Sequence, residues 1–227
     1  MTDRPPADPT AGSGARDDLA WPAADSHAAA ALWVGTFQTL AGRIAHDLRN
    51  ALNAVAVNLE VVRGRSARGA EPSAIAPFAA TAATQYESAS AAAESLLWLA
   101  RSQTGDADVA ETVTQLGRLV GVRNGGSLGY AGPPPGGARV AAPWDVVRAV
   151  VARSVLSALD VGDTIACETT VNGGIFLRVT AASHLPPPDP ELVAVASAYG
   201  VRFTSQGNGL EVRFPAAGAR ATPSAPA

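Results

Sequence analysis

Four neighbouring polar side chains, His46, Asp47, Arg49 and Asn50, have types and a spacing that could support nucleophilic chemistry. A neutral imidazole attacks phosphorus readily near neutral pH. The adjacent carboxylate of Asp47 could accept the Nδ1 proton of His46, which would fix the tautomer and leave Nε2 as the nucleophile. Arg49 could offset charge on an entering phosphoryl group. Asn50 follows His46 at i+4, one helical turn along the chain.

The segment around these residues has apolar side chains at helical spacing. They recur every three or four positions: Phe37, Leu40, Ile44, Leu48, Leu52, Val55, Leu59 and Val62. This period predicts one helix from about residue 27 to 64 with a single apolar stripe. His46 lies two positions from both Ile44 and Leu48, so at about 100° per residue it points away from the stripe, toward solvent. A lone helical histidine is commonly a solvated or core residue, so the interpretation depends on its neighbours.

A second helix is predicted after a Gly- and Pro-containing loop at 65–73. Its pattern runs through Ile75, Phe78, Ala82, Tyr86, Ala89, Ala93, Leu96 and Ala100. The two helices, each of about 30 residues, form a helical hairpin on this interpretation. Because a lone hairpin of this length leaves much of its stripe exposed, the sequence favours pairing with a second copy in a four-helix bundle.

The rest of the chain has shorter periods that predict alternating helices and strands. Asn172-Gly173 is a strong hairpin signal, and Asp189-Pro190 is typical of a helix start. In chain order we predict a helix at 108–120, a loop at 124–137, a short strand at 138–142, a helix at 143–159, strands at 164–171 and 174–181, a helix at 189–200, and strands at 201–205 and 210–214.

The predicted fold class is α+β, a long antiparallel helical hairpin followed by a two-layer α/β sandwich. The hairpin occupies residues 27–104 and the sandwich residues 105–215. Residues 1–26 and 216–227 are rich in Pro, Gly and Ala without periodicity, so we expect both segments to be disordered.

Composition excludes several classes of partner and site. A formal net charge of −3 over 227 residues gives no indication of nucleic acid or an anionic membrane as the main partner. The single cysteine, Cys167, excludes an internal disulfide and fits a reducing compartment. No apolar run approaches the roughly 20 residues of a membrane span, and the N-terminus lacks the apolar core of a signal peptide. We therefore expect a cytoplasmic protein.

The run His46-Asp47-Leu48-Arg49-Asn50-Ala51-Leu52 resembles the phosphoacceptor box of sensor histidine kinases, H-[DE]-L-R-[TN]-P-L, at six of seven positions. Ala51 stands where proline is usual, which indicates a straighter helix. The resemblance extends over residues 30–215 in the order and size of the elements. It implies a dimeric bundle with His46 as phosphoacceptor and Asp47 as general base. It also implies that Asn50, in the pattern [DE]-x-x-[TN], positions water when a receiver is dephosphorylated.

The second half resembles the ATP-binding domain of such kinases, with its nucleotide motifs lost. Arg153 and Ser157 stand at the two asparagines of N-x-x-x-N-A, and 181–185 reads AASHL where the family has D-x-G-x-G. Only the seven residues SHLPPPD separate that strand from the next helix, so the glycine-rich lid is absent too. ATP is therefore not expected as a cofactor. The three histidines and one cysteine lack metal-site spacing.

The resemblance thus implies a histidine phosphotransferase that carries a phosphoryl group on His46 between the aspartates of response-regulator receiver domains. Its partners would be those receivers, which hold their own Mg²⁺, and a second copy of the chain. The degenerate domain would help to clasp the receiver. Two alternatives remain open: an atypical histidine kinase that autophosphorylates on His46, and a non-catalytic dimeric scaffold or receiver-phosphatase cofactor that uses Asp47 and Asn50.

Overall fold

Two long helices form the first part of the protein, which we describe from a computed structural model that covers residues 23–122 and 126–217. Helix α1 spans Ala23–Ser66 and helix α2 spans Pro72–Ala100, and they pack as the antiparallel hairpin that the apolar period predicts. Helix α1 begins before the expected residue 27, because the alanines at 23 and 24 favour helix. Of the two segments predicted to be disordered, 1–26 and 216–227, residues 1–22 and 218–227 lie outside the described residues.

The second part is a five-stranded mixed sheet with helices packed on one face. The sheet has the order β2-β4-β5-β7-β6, in which β2 runs parallel to β4 and the other pairs are antiparallel. The protein is therefore α+β, as predicted. The elements are β1 Ala107–Asp108, α3 Val109–Val120, β2 Ser127–Ala131, β3 Arg139–Val140, α4 Trp144–Leu159, β4 Thr164–Val171, β5 Ile175–Ala181, α5 Pro190–Ala198, β6 Arg202–Gln206 and β7 Gly209–Phe214. After β7, Ala216 forms an isolated antiparallel bridge with Val140.

Local chemistry explains where these elements begin and end. Asp108 caps α3 by accepting a hydrogen bond from the Glu111 backbone N at 2.7 Å. Asp189 caps α5 in the same way, as its sequence predicts. Gly173 has φ +60° in the turn between β4 and β5, which confirms the predicted hairpin there.

The loop predicted at 124–137 is wrong for residues 127–131, which form strand β2 at the edge of the sheet. Leu128 and Tyr130 alternate toward the interior, a period of two that the glycines around them obscure. The strand is held by pairing with β4, which lies far along the chain. Such pairing is a tertiary effect that local sequence does not report.

The hairpin and the sandwich share one hydrophobic core where they meet. In α1, Leu32, Leu40 and Ile44 are buried in the same cluster as the side chains of α4. In α2, Ala92, Ser95 and Leu99 are buried, whereas the predicted stripe residues Ala93 and Ala100 are exposed. That part of the prediction is wrong because α3 packs against this half of α2 and rotates the buried face; Ser95 Oγ, for example, lies 2.8 Å from Gln115 Oε1 on α3.

The far half of the hairpin is not covered by the sandwich. None of the α1 side chains from Leu48 to Ser66, all of them within the described residues, is fully buried. Leu52 and Leu59, which belong to the predicted stripe, are about half exposed. Apolar side chains therefore line an open face along this half of the hairpin, which we call the far hairpin face.

Within residues 23–122 and 126–217, no helix has the length and apolar character needed to cross a membrane.

Candidate functional site

His46 lies near the middle of α1, where the hairpin emerges from the sandwich. The preceding stripe residue, Ile44, is buried and Leu48 is partly buried, so the buried face of the helix is turned away from the imidazole. The His46 side chain is 72% exposed, in agreement with the helical spacing. A partner molecule can therefore reach the ring without any rearrangement of the hairpin.

The structure brings Asp47 and Asn50 to the same ring nitrogen. Nδ1 of His46 lies 3.4 Å from Asp47 Oδ1 and 3.3 Å from Asn50 Nδ2. Nδ1 cannot donate to the carboxylate and accept from the amide at once, so the tautomer decides which contact is a hydrogen bond. In the tautomer protonated at Nδ1, the ring donates to Asp47 and the Nε2 lone pair is left for chemistry. Among the described residues, none forms a hydrogen bond with Nε2.

A cleft of about 450 Å³ opens beside the imidazole, between α1, α3 and α4. Its floor is apolar and includes Leu116, Leu119 and Leu159. Its rim carries His46 and three charged side chains, Arg43, Asp47 and Asp160. We call this the His46 cleft. An apolar floor with a charged rim can bury an apolar side chain of a partner while polar groups act at the edge.

The two arginines on either side of His46 have different surroundings. Arg49, the residue predicted for charge support, is exposed and does not line the His46 cleft. Arg43 does line it, and its Nη1 lies 2.6 Å from Oδ1 of Asp160, the C-terminal cap of α4. The phosphoacceptor motif does not include Arg43, although its i−3 spacing from His46 places both residues on one side of the helix.

Arg153, one of the two residues that the resemblance aligns with asparagines of a nucleotide motif, joins neighbouring elements of the fold. Nε of Arg153 donates to Thr36 Oγ1 at 2.9 Å, and its guanidinium also pairs with Asp189 at the start of α5. Arg153 thereby connects α4 to both α1 and α5. Together with Ser157 it lines a second cleft of about 320 Å³, bounded also by Pro186 and Pro188.

The segment between β5 and α5 contains no helix or lid. Ala182, Ser183 and His184 are exposed, and Leu185 is buried. His184 is on this connection, whereas His27 lies near the start of α1, on the same helix as His46 but several turns away from it. Over the described ranges, no group of three or more His, Cys, Asp or Glu side chains is placed to hold a metal ion.

Comparisons with known proteins give structural similarities at low identity. No protein-family model matches the chain, and the search of curated proteins found no match. A bacterial phosphotransferase matches 86% of this chain and 97% of its own, with 14% identity and a TM-score of 0.44. The Acinetobacter baumannii histidine kinase AdeS matches 75% and 97%, with 10% identity and a TM-score of 0.33. The Erythrobacter litoralis blue-light activated histidine kinase EL346 matches 72% and 64%, with 11% identity and a TM-score of 0.41. The chain is thus similar to phosphotransferase and histidine kinase structures, and the TM-scores of these three are below 0.5.

Proposed function

We propose that this protein is a histidine phosphotransferase of two-component signalling, in which His46 takes a phosphoryl group from the aspartate of one receiver and passes it to another. The observation that carries the proposal is the exposed imidazole of His46, with Asp47 and Asn50 both at Nδ1. The His46 cleft beside the ring supports it, because it offers a receiver an apolar contact next to the reacting atom.

In the forward step, the Nε2 lone pair of His46 forms a bond to phosphorus. The bond between phosphorus and the receiver's aspartate oxygen breaks, and its electron pair returns to that carboxylate. Asp47 accepts the hydrogen bond of the Nδ1 proton and so stabilises the positive charge that forms on the ring. The reverse sequence delivers the phosphoryl group to a second receiver. The Mg²⁺ that neutralises phosphoryl charge is expected in the receiver.

ATP is not a proposed donor. Arg153 is tied to Thr36 and Asp189, at a position where the family's ATP-binding domain has an asparagine. A cation bound into the structure at that point would repel a metal ion carried by a nucleotide. The proposal therefore assigns no nucleotide cofactor to this chain, and assigns the phosphoryl donor to another protein.

ATP and a phosphorylated receiver can be compared directly as phosphoryl donors. The protein is incubated with ³²P-labelled ATP and, separately, with receiver domains encoded by the same genome that have been charged with labelled acetyl phosphate. The proposal expects label on the wild type from at least one receiver, none on His46→Ala, and none from ATP. Stable labelling of His46 from ATP alone would support the atypical kinase instead.

We further propose that the protein acts as a homodimer through the far hairpin face. Leu52 and Leu59 are one heptad apart, so both lie on one side of α1, and Leu59 is 52% exposed. A second copy of the hairpin could cover this face in a four-helix bundle, which removes apolar surface from water.

Leu59→Glu is expected to shift the protein toward monomer. A carboxylate in an apolar bundle core is costly, so the dissociation constant should rise by about 100-fold. Light scattering after size exclusion should give the mass of two 22.9 kDa chains for the wild type and of one for the variant. The control is Val171→Glu, because Val171 is 58% exposed on β4 and lies outside the hairpin. A monomeric wild type, or equal behaviour of the two variants, would refute the dimer.

Asp47→Asn is expected to slow transfer from a receiver to His46 by about 100-fold, at the low end of the range for a group that handles a proton. The amide cannot hold the Nδ1 proton as a charged acceptor does, so the reactive tautomer becomes less populated. Rapid-quench measurement of the single-turnover rate tests this. Glu60→Gln, which removes an exposed carboxylate elsewhere on α1, is the control. A wild-type rate for Asp47→Asn would remove Asp47 from the mechanism.

A further inference from the structure

Arg43 stands out because it lines the His46 cleft and is paired across that cleft with Asp160. Arg43 and His46 are three residues apart on α1 and both line this cleft. Across the cleft, Nη1 of Arg43 lies 2.6 Å from Asp160 Oδ1. The ion pair therefore links the helix that carries His46 to the C-terminal end of α4.

The charged side chains of the His46 cleft favour a cation next to a phosphoryl group on His46. Apart from His46, the charged side chains among the described lining residues are Arg43, Asp47 and Asp160. A phosphoryl group on His46 brings a charge of about −1.5 to −2 at neutral pH. If Arg43 were absent, that group would face two carboxylates, and their repulsion would disfavour its arrival.

Arg43 can leave Asp160 for another anion, because their ion pair is exposed to water. The two side chains are 44% and 54% exposed, so water screens their attraction and the pair contributes little to stability. A phosphoryl group offers a guanidinium more charge than a carboxylate and can be bound through two parallel hydrogen bonds. Asp160 also lies at a helix C-terminus, where a negative charge is unfavourable.

We propose that Arg43 is the counter-ion of the phosphoryl group on His46, and that Asp160 holds Arg43 at the edge of the cleft until the phosphoryl group arrives. This inference rests on the proposed phosphotransferase function. On phosphorylation, Arg43 moves from Asp160 to the phosphoryl oxygens. Asp160 therefore competes with the phosphoryl group for Arg43, and the two residues have opposite effects on phosphorylation.

The opposite effects allow a sharp test with a small phosphoryl donor. Labelled phosphoramidate transfers its phosphoryl group to imidazole: its P–N bond breaks, a bond from phosphorus to Nε2 forms, and ammonia leaves. The initial rate of labelling is measured for the wild type, Arg43→Ala and Asp160→Asn, after subtraction of the label found on His46→Ala. We expect Arg43→Ala to be about tenfold slower and Asp160→Asn to equal or exceed the wild type. Arg43→Lys, which keeps the charge but loses the paired donors, should fall between.

If the Arg43–Asp160 pair had only a structural role, the labelling rates would follow a different pattern. Arg43→Ala and Asp160→Asn remove the same ion pair, so both would then change the rate alike. That outcome overturns the inference and leaves His46 as the phosphoacceptor. Absence of label on His46 from phosphoramidate and from every charged receiver overturns the proposed function as well. The control is Arg63→Ala, which removes another exposed, ion-paired arginine of α1 and should label at the wild-type rate. Circular dichroism checks that each variant keeps its helices.

Discussion

Replacing His46 by glutamine is expected to lower phosphoryl transfer from a charged receiver by about 10³-fold or more, to the background of the assay. A carboxamide has no lone pair comparable to that of Nε2, so the covalent intermediate cannot form. Because the side chain is 72% exposed, the same substitution should change the free energy of unfolding by no more than about 0.5 kcal/mol. Rapid-quench labelling and urea denaturation measure the two quantities.

This pair of measurements separates transfer from scaffolding. A chain that only holds receivers together, or that presents Asn50 to position water, should keep its function in His46→Gln. The variant should also bind an uncharged receiver with the affinity of the wild type, as measured by calorimetry, since the His46 cleft is otherwise intact. Transfer that persists in His46→Gln would exclude His46 as the carrier.

The second large effect is expected at Arg148, whose side chain is buried between the hairpin and the sandwich. Its guanidinium carbon lies 5.7 Å from the ring centroid of Trp33, 5.2 Å from that of Trp98 and 5.3 Å from that of Trp144. Its Nη1 donates to the backbone oxygen of Arg101 at 2.9 Å, just after α2 ends. One side chain of α4 therefore contacts α1, α2 and the connection between the two parts of the fold.

Two opposing effects determine how much the Arg148 side chain contributes to the free energy of folding. The tryptophan rings attract the cation, and the side chain fills the space between them. Against this, Nε and Nη2 have no hydrogen-bond partner in the part of the chain that the structure describes. Burial lowers the pKa of Arg148, and the negative charges of Asp145 and Glu111 oppose that shift. A buried charge of this kind is expensive to create, and a hole in its place is expensive as well.

Arg148→Ala should therefore destabilise the fold by about 3 kcal/mol, since it leaves a cavity between the three rings. Arg148→Met should lie within about 1 kcal/mol of the wild type, because it keeps most of the volume and removes the poorly solvated charge. Urea denaturation followed by tryptophan fluorescence gives both values. Arg178→Ala, which removes an exposed cross-strand partner of Glu211, is the control and should stay within about 0.5 kcal/mol. An Arg148→Ala variant as stable as the wild type would show that the rings close over the gap.

The sequence predicts elements whose signals are local. The long apolar period of α1, the Asn172-Gly173 turn and the Asp189 cap each act within a few residues, and the structure has all three features. Strand β2 and the buried face of α2 were not predicted correctly. Both depend on partners that are distant along the chain, β4 for the strand and α3 for the helix.

In the candidate site, too, local sequence predicts some features, whereas others depend on residues that are distant along the chain. Helical geometry predicts the exposure of His46 and the nearness of Asn50, because i+4 neighbours share a face. The partners of Arg43 and Arg153 are not predictable in this way. Asp160 lies 117 positions after Arg43, and the contact between them requires the sandwich to dock against α1. A resemblance of motifs places Arg153 at a lost asparagine, but only the fold reveals its bonds to Thr36 and Asp189.

The most direct test of the central claim is to locate the phosphoryl group after a receiver has delivered it. The protein is incubated with a charged receiver and kept at neutral or alkaline pH, where phosphohistidine survives, and ³¹P NMR and peptide mass spectrometry then identify the modified atom. The account predicts a phosphoryl group on Nε2 of His46, and the same group appearing on a second receiver when one is added. A phosphoryl group on any other residue, or one that arrives on His46 only from ATP, would contradict it.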